Sequence, residues 1–380
     1  MTASVSAVNY RANNLEFIRL CAATFVIVSH AFTLNGVPYD PYYAWTLHGS
    51  LSEIGIKTLF TVSGLLATRH WDDDPNALRF GLRIILRIMP GLAMVTLLCA
   101  FVMGPLVTTL PKGDYFASPL LPGFLSNILI YPIQYELPGV FTNTPVPGVV
   151  NGSLWVLAVE ASLSLGVAIL GTLGFLRWRF VPMTLFLGSI ATRITLQKLH
   201  PTPIIWMWMD VHTLFDCGAC FFAGASLCKF DTVLPRLPSV LFALLLLFVA
   251  CMGTSALPVV TYFVLPYLIF CIAFEENKMT QMISEIGDLS YGVYIYAFPV
   301  QQLVVLMFGT AMGAILSMTL TTLLTFPLAA LSWFLVERPM MSLNPFPRRK
   351  PAPPQLPILD VPPVAPPTTA SVAAHTSATS

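Results

Sequence analysis

Charge is what this 380-residue chain has least of. Lysine and arginine number 19 and aspartate and glutamate 18, together 10% of the chain, where a soluble domain carries about a quarter. That scarcity excludes an ordinary water-soluble globular domain. The balance is also close to neutral, at +1, so bulk electrostatics point to no nucleic-acid partner. Cysteines are few, seven in all, and they lie almost wholly inside apolar stretches, where they act as small packing residues and not as a disulfide framework. Cys217 and Cys220 form a C-x-x-C with no second pair, and no metal site is expected from it. The first apolar run is long, contains Arg19 and is followed by no A-x-A-like site, so no cleavable signal peptide is expected. No tandem repeat of fixed period is found.

What fills the chain is apolar surface: 56% hydrophobic residues and a mean hydropathy of +0.76. Windows of about 20 residues run with almost no charge, the mark of transmembrane helices. The fold class expected is an all-α integral membrane protein with ten spans, at 15–34, 47–68, 82–106, 152–175, 181–199, 205–228, 239–256, 258–274, 289–309 and 312–336. Basic residues settle the orientation. Arg11, Arg69, Arg79, Arg83, Arg87, Arg177, Arg179, Lys229, Arg236, Lys278 and Arg338 fall on one side, with Lys112 and Lys198 on the other. The positive-inside rule then puts both termini in the cytoplasm. One long loop, 107–151, is rich in Pro and Gly, and its aromatics (Tyr115, Phe124, Tyr131, Phe141 among them) favour an ordered cap over the outer face. Residues 1–341 read as one transmembrane domain. Residues 342–380, rich in Pro, Ala, Ser and Thr, read as a disordered cytoplasmic tail.

Against this background the intramembrane ionisable residues stand out, since each costs at least ~2.5 kcal/mol at mid-depth for Arg or Asp. Arg19 and His30 are eleven residues apart, three helical turns plus roughly 20°, so they share one face about 16 Å apart along the axis. Glu16 lies near the same face. Taken singly, Arg19 could snorkel to the headgroups and His30 could be an interfacial residue; the shared face argues against both. By residue count from the span ends, Glu160 comes within about 6 Å of His30 in depth, close enough to favour a charged imidazole. Gln301 and Gln302 arrive at a similar height. Arg19, Arg83 and Arg87 gather at the inner mouth with Ser63. That arrangement suits a phosphorylated cytosolic ligand on one side and acid–base chemistry near the other. Tyr291 and Tyr294, three apart on one helix face, and Asp216, one turn after His212, are expected to line the same cavity, as acceptor-contacting or wall residues. Lys57 and Arg193 are further intramembrane charges with no partner evident in the sequence, and Glu337-Arg338-Pro339 reads as the end of the last helix.

Several blocks, in order, resemble the type-3 membrane acyltransferases. They are Leu15-Glu-Phe-Ile-Arg19 followed by ten residues and His30; Phe60-Thr-Val-Ser-Gly64; Arg83-Ile-Ile-Leu-Arg87-Ile-Met-Pro90; Ser153-Leu-Trp155 leading to Glu160; Leu289-Ser-Tyr-Gly-Val-Tyr294; and Trp333-Phe-Leu-Val-Glu-Arg-Pro339. They span about residues 13–340. The chain departs from the pattern at Ile84, Ala161 and Ala297. The resemblance implies a multi-pass protein of the bacterial inner membrane that moves an acyl group, acetyl first among them, to a carbohydrate hydroxyl. The acceptor would be a cell-surface polysaccharide or lipid-linked glycan. Acyl-CoA would be the co-substrate, with no other cofactor and the lipid bilayer as the protein's surroundings. In that reading His30 is the general base, Glu160 holds and tunes it, and Arg19, Arg83, Arg87 and Ser63 hold the donor. The rival reading is a transporter or flippase for a lipid-linked glycan, in which the same charges form a proton or substrate path. Interrupted helices in corresponding halves would favour it, and the sequence has no such symmetry.

Overall fold

Where backbone groups must satisfy themselves in an apolar medium, a helix is the economical solution, and helix is nearly all the regular structure that the described residues form. The computed structural model describes residues 14–206, 209–231, 237–275, 287–343 and 345–346. Among the described residues ten long helices fall on the ten apolar stretches: α1 (Leu15–Leu34), α2 (Leu51–Asp73), α3 (Ala77–Leu98), α4 (Trp155–Thr172), α5 (Phe180–Leu199), α6 (Val211–Phe230), α7 (Pro238–Cys251), α8 (Leu257–Ala273), α9 (Leu289–Phe308) and α10 (Gly313–Ser332). Short polar side chains fix several starts. Ser50 accepts from the Glu53 amide at α2, Asn76 from Arg79 at α3, and Asp210 from His212 and Thr213 at α6.

Among the described residues, six helices are long and apolar enough to cross a membrane, namely α1, α3 with its continuation to Val107, α4, α6, α9, and α10 within the stretch Thr310–Ser342. The other four fall short of the expected ten for plain reasons. Helix α2 carries Glu53, Lys57, Arg69, Asp72 and Asp73; α5 carries Arg193 and Lys198; α7 and α8 have 14 and 17 residues. Two boundaries also differ. The sixth stretch begins as a two-residue antiparallel pair, Ile205↔Asp210 and Trp206↔Met209, and turns helical only at Val211. The last helix does not stop at Glu337-Arg338-Pro339. It passes through a π-helical turn, Trp333–Glu337, and continues as Arg338–Ser342. Arg338 still donates its N–H to the Trp333 carbonyl five residues back, and Pro339, which has no N–H to give, follows this widened turn.

The helices are ordered by their contacts as α10–α9–α1–α2–α6–α5, with α3 and α4 packed across this row. Helix α9 is the centre, buried from Ser290 to Val305 save one position. Helix α7 rests on α8 and buries no side chain. The tightest crossing is α2 on α6. A Cβ at Gly64 would come within 1.8 Å of the Phe221 carbonyl, and one at Gly224 within 1.9 Å of the Thr61 carbonyl. Close approach through small residues is how helices gain contact when lipid is as apolar as the side chains.

The long loop is ordered, as its aromatics suggested. Tyr115, Phe124 and Phe141 are buried, the Tyr115 hydroxyl donates to the Ala100 carbonyl at 2.7 Å, and short helices run over Lys112–Ala117 and Leu120–Leu125. Gln302 ties α9 to this cap by donating to the carbonyls of Val146 and Val149. Of the expected tail only Ser342, which is still helical, Leu343, Pro345 and Phe346 are described; the rest lies outside the described residues, as do the chain's first thirteen.

Candidate active site

Polar groups of five helices converge at the end of the bundle opposite the cap. Arg19, on the second turn of α1, is 7% exposed and donates through Nη1 to Asp288 Oδ2, at the entry to α9. Arg87 of α3 brings Nη2 to 3.5 Å from the same oxygen. Two guanidiniums therefore share one carboxylate. Burial pushes the Asp288 carboxyl up, but Arg19 and Arg87, with the Ser290 hydroxyl, more than reverse this and hold it below the usual carboxylate range. Arg19 Nε is buried and has no hydrogen-bond partner among the described residues, so the site keeps donor capacity that its own aspartate does not use.

Two adjoining cavities open on this cluster. One, of about 370 Å³, is bounded by Arg19, Phe60, Ser63, Glu160, Tyr291 and Tyr294. The other, of about 500 Å³, is bounded by Ser63, His70, Phe80, Arg83, Arg87 and Glu160. Ser63 and Glu160 belong to both, and the Ser63 hydroxyl donates to Glu160 Oε1 at 2.8 Å, so this hydrogen bond is the partition between them. Arg83 is held by Asp74 at the start of α3. The Tyr291 hydroxyl donates to the Ile88 carbonyl at 2.6 Å, making it a fixed wall of the cavity. Arg19, Arg83, Arg87, Ser63, Tyr291 and Tyr294 are thus brought together, and with them a chamber whose cations suit an anionic, phosphate-bearing ligand.

His30 stands apart. It does lie on the face of α1 that Arg19 shares, since both meet α9: Arg19 at Asp288, His30 edge-on to the Phe298 ring at 5.4 Å. Its Nδ1 is buried with no hydrogen-bond partner among the described residues, and His30 lines neither of the two cavities. The expected neighbour is missing. Glu160 bonds to Ser63 instead of pairing with His30. The reason is an offset between helices. Asn151, nine residues before Glu160, already donates to the carbonyl of Ile295, one turn below Phe298. Helix α4 therefore starts lower in the bundle than α1 ends, and Glu160 descends to the level of Arg19. Gln301 braces the His30 region by donating to the Ile27 carbonyl at 2.8 Å; it is a packing bridge and lines neither cavity.

Asp216 is also elsewhere. It accepts from the Tyr262 hydroxyl and lies 3.5 Å from Lys57 Nζ. Lys57, 2% exposed, bonds to Glu53 at 2.5 Å and sits 4.9 Å from the centre of the Tyr262 ring. The intramembrane lysine thus has two carboxylates and an aromatic face. Two residues of the inner cluster escaped the sequence reading. Asp288 could have been found as an acid placed where a helix-capping residue belongs, immediately before Leu289-Ser-Tyr-Gly. Glu337, 2% exposed, accepts from the Ser332 hydroxyl at 2.6 Å and packs near Gly91 and Tyr291. Its signal was hidden by the proline and basic residue that follow it.

The family model described as an acyltransferase domain matches residues 13–336. An O-acetyl transferase of Shigella phage Sf6 is 28% identical over 346 residues, covering 87% of this chain and 96% of that protein. Nodulation protein 10 of Rhizobium leguminosarum bv. viciae is 25% identical over 364 residues, with 87% and 94% covered. No solved structure matches the chain.

Proposed function

The chain belongs to the family of acyltransferase domains, and on that premise we propose that it is a multi-pass enzyme of the bacterial inner membrane. It moves an acyl group, acetyl first among them, from acyl-CoA to a hydroxyl of a cell-surface polysaccharide or lipid-linked glycan. The ten helices span the bilayer, both termini face the cytoplasm, and the arginine end of the bundle is the cytoplasmic end. The charge bias supports this orientation: Arg69, Arg79, Arg83, Arg87, Arg177, Arg179 and Lys229 cluster at that end.

The observation that carries the reading is the doubly shared aspartate. A buried and a half-buried arginine on one carboxylate, with a free N–H left over on the buried one, form a ready receptor for phosphate oxygens. Arg83 and Arg87 hold the donor's phosphates at the mouth, while Arg19 and the Ser63–Glu160 pair line the way inward. At the reacting end His30 takes the proton of the acceptor hydroxyl as its oxygen attacks the thioester carbon. The C–S bond breaks, and the proton passes to the departing thiolate. Glu160 acts on the donor side of this scheme, in keeping with its bond to Ser63.

The test is acyl transfer by the purified, reconstituted protein, with acyl-CoA labelled in the acyl group and the producing cell's own de-O-acylated glycan as acceptor. Labelled glycan is the expected product. Arg19→Ala and Arg87→Ala should each weaken acyl-CoA binding, and Arg→Lys should restore part of it, because lysine supplies the charge without the fork. Wild-type protein that moves glycan across vesicles without any acyl donor, and labels none of it, would overturn the reading in favour of a flippase.

A further inference from the structure

At the cap end of α2 lies a second cleft, unconnected with the arginine site. It has a volume of about 240 Å³ and is lined by Tyr42, His48, Glu53, Lys57, Pro258 and Thr261. The Ser29–Ser52 hydrogen bond between α1 and α2, at 3.2 Å, sets Glu53 at the height of His30. No hydrogen bond, ion pair or ring contact joins any of the lining residues to His30, whose ring partner is Phe298.

The cleft is built, not incidental. Asp40 caps the short helix Pro41–Thr46 through the Tyr43 amide and also accepts from the Leu51 amide at 2.6 Å, locking the connection between α1 and α2. Gly49, at a φ of +71°, lets the Glu53 carboxylate fold against the backbone, where a Cβ would stand 2.7 Å from Oε2. Lys57 fixes the other oxygen, Oε1. The Glu53 side chain is nonetheless 39% exposed, so a carboxylate held in one orientation faces the opening. Burial, then the charge of Glu53, push the Tyr42 hydroxyl up to about 12, which keeps it a proton donor. Beyond the rim stand aromatics that the fold does not cover: Trp45, 80% exposed, and Tyr39 stacked on Tyr43 at 4.2 Å.

We propose that this cleft and its aromatic shelf bind an uncharged stretch of the acceptor glycan, at a sugar other than the one that is acylated. A fixed carboxylate can accept from two neighbouring hydroxyls, a tyrosine and an imidazole supply further polar contacts, and exposed rings match the apolar face of a pyranose. Charge selects the class. Of the two charges that line the cleft, Glu53 is 39% exposed, whereas Lys57 is 3% exposed and turned to Glu53 and Asp216, so the charge offered at the opening is negative, which disfavours uronic and other acidic sugars. Separation from His30 makes the cleft a neighbouring subsite, so the enzyme reads a chain and not a single sugar. This rests on the acyltransferase reading and on the outward orientation of the cap.

The experiment uses full-length protein in nanodiscs. The probe is the producing cell's surface polysaccharide, de-O-acylated, cut to oligosaccharides, and separated by anion exchange into neutral and acidic fractions. Saturation-transfer NMR should show the neutral fraction binding. Glu53→Gln removes a charged hydrogen-bond acceptor and should weaken binding about tenfold or more. Trp45→Ala, at a position too exposed to disturb folding, should weaken it several-fold. Binding by the acidic fraction alone, or neutral binding unchanged in both variants, would overturn the proposal. So would a Trp45→Ala variant that loses only its grip on lipid headgroups, for then the shelf is an interfacial anchor. Acyl transfer by wild-type protein is measured in parallel. If neither fraction is acylated the enzymatic reading fails; if one is acylated while Glu53→Gln and Trp45→Ala both perform as wild type at limiting oligosaccharide, only the subsite fails.

Discussion

The Arg19–Asp288 pair allows a prediction whose size can be worked out beforehand. The two side chains are 8% and 16% exposed, so their attraction is little screened by solvent. Removing one member of such a pair leaves an uncompensated buried charge and typically costs about 3–5 kcal/mol. Arg19→Met leaves Asp288 to Arg87 alone, and Asp288→Leu leaves two guanidiniums facing each other. In Arg19→Met/Asp288→Leu neither stranded charge remains at that contact, so the double variant should be at least about 2 kcal/mol more stable than the sum of the singles implies. The corresponding cycle on Arg87 and Asp288 should couple less, about 1 kcal/mol or under, because Arg87 is 28% exposed and stands 3.5 Å away. Equilibrium unfolding in mixed micelles, followed by tryptophan fluorescence, measures both cycles. The pH dependence has a definite sign. A carboxyl held below its usual range contributes stability that is present above the unfolded pKa and is lost as pH falls through the folded one. The coupling should therefore be the same at pH 7 and pH 5. Additivity within about 0.5 kcal/mol, or a stronger coupling to Arg87 than to Arg19, would refute the assignment of Asp288 as the keystone of the cluster.

Three other outcomes follow from the same geometry. His30→Ala should lower acyl transfer by at least about 10²-fold, the lower range for a general base, with acyl-CoA affinity kept, because Arg19 lies about 16 Å away along α1; loss of donor affinity in this variant would refute the separation of the two regions. Glu160→Gln and Ser63→Ala should each weaken acyl-CoA binding and leave the acid limb of the pH–rate profile where it is, since Glu160 bonds to Ser63 and not to His30; a downward shift of that limb in Glu160→Gln would restore the pairing of Glu160 with His30. Reporter fusions after Met341 should read cytoplasmic and fusions near Pro122 external, and an external C-terminus would invert the assignment of the arginine end.

What could be read from the chain beforehand was whatever depends on one helix at a time. Apolar length located the helices, and the 100° step put Arg19 and His30 on one face, which α9 then meets with Asp288 and Phe298. Aromatic content foretold an ordered loop, and Tyr115, Phe124 and Phe141 are indeed interior. Height across helices was not legible, because residue counts from span ends assume that all helices begin in one plane. Asn151 bonded to Ile295 shows that α4 does not, and the expected pairing of Glu160 with His30 failed on that offset alone.

Lateral order was hidden for a different reason. An ionisable residue in an apolar run announces that it needs a partner, but its chemistry does not say which. Arg19 finds its carboxylate 269 positions away, just outside an apolar stretch, where an acid looks like a helix cap. Lys57 has one partner a turn earlier, Glu53, and the other on α6, Asp216, within reach because α2 and α6 cross at Gly64 and Gly224. The two glycines, unremarkable as residue types, therefore decide which charges meet. They bring Asp216 to Lys57 and so keep that carboxylate out of the arginine chamber. Replacing Gly224 with Ala puts a Cβ 1.9 Å from the Thr61 carbonyl, which the backbone must relieve by moving α6 off α2. The displacement should separate Asp216 from Lys57 and lower the melting temperature more than Asp216→Asn does; a Gly224→Ala protein as stable as wild type would show that the crossing is not what joins these charges.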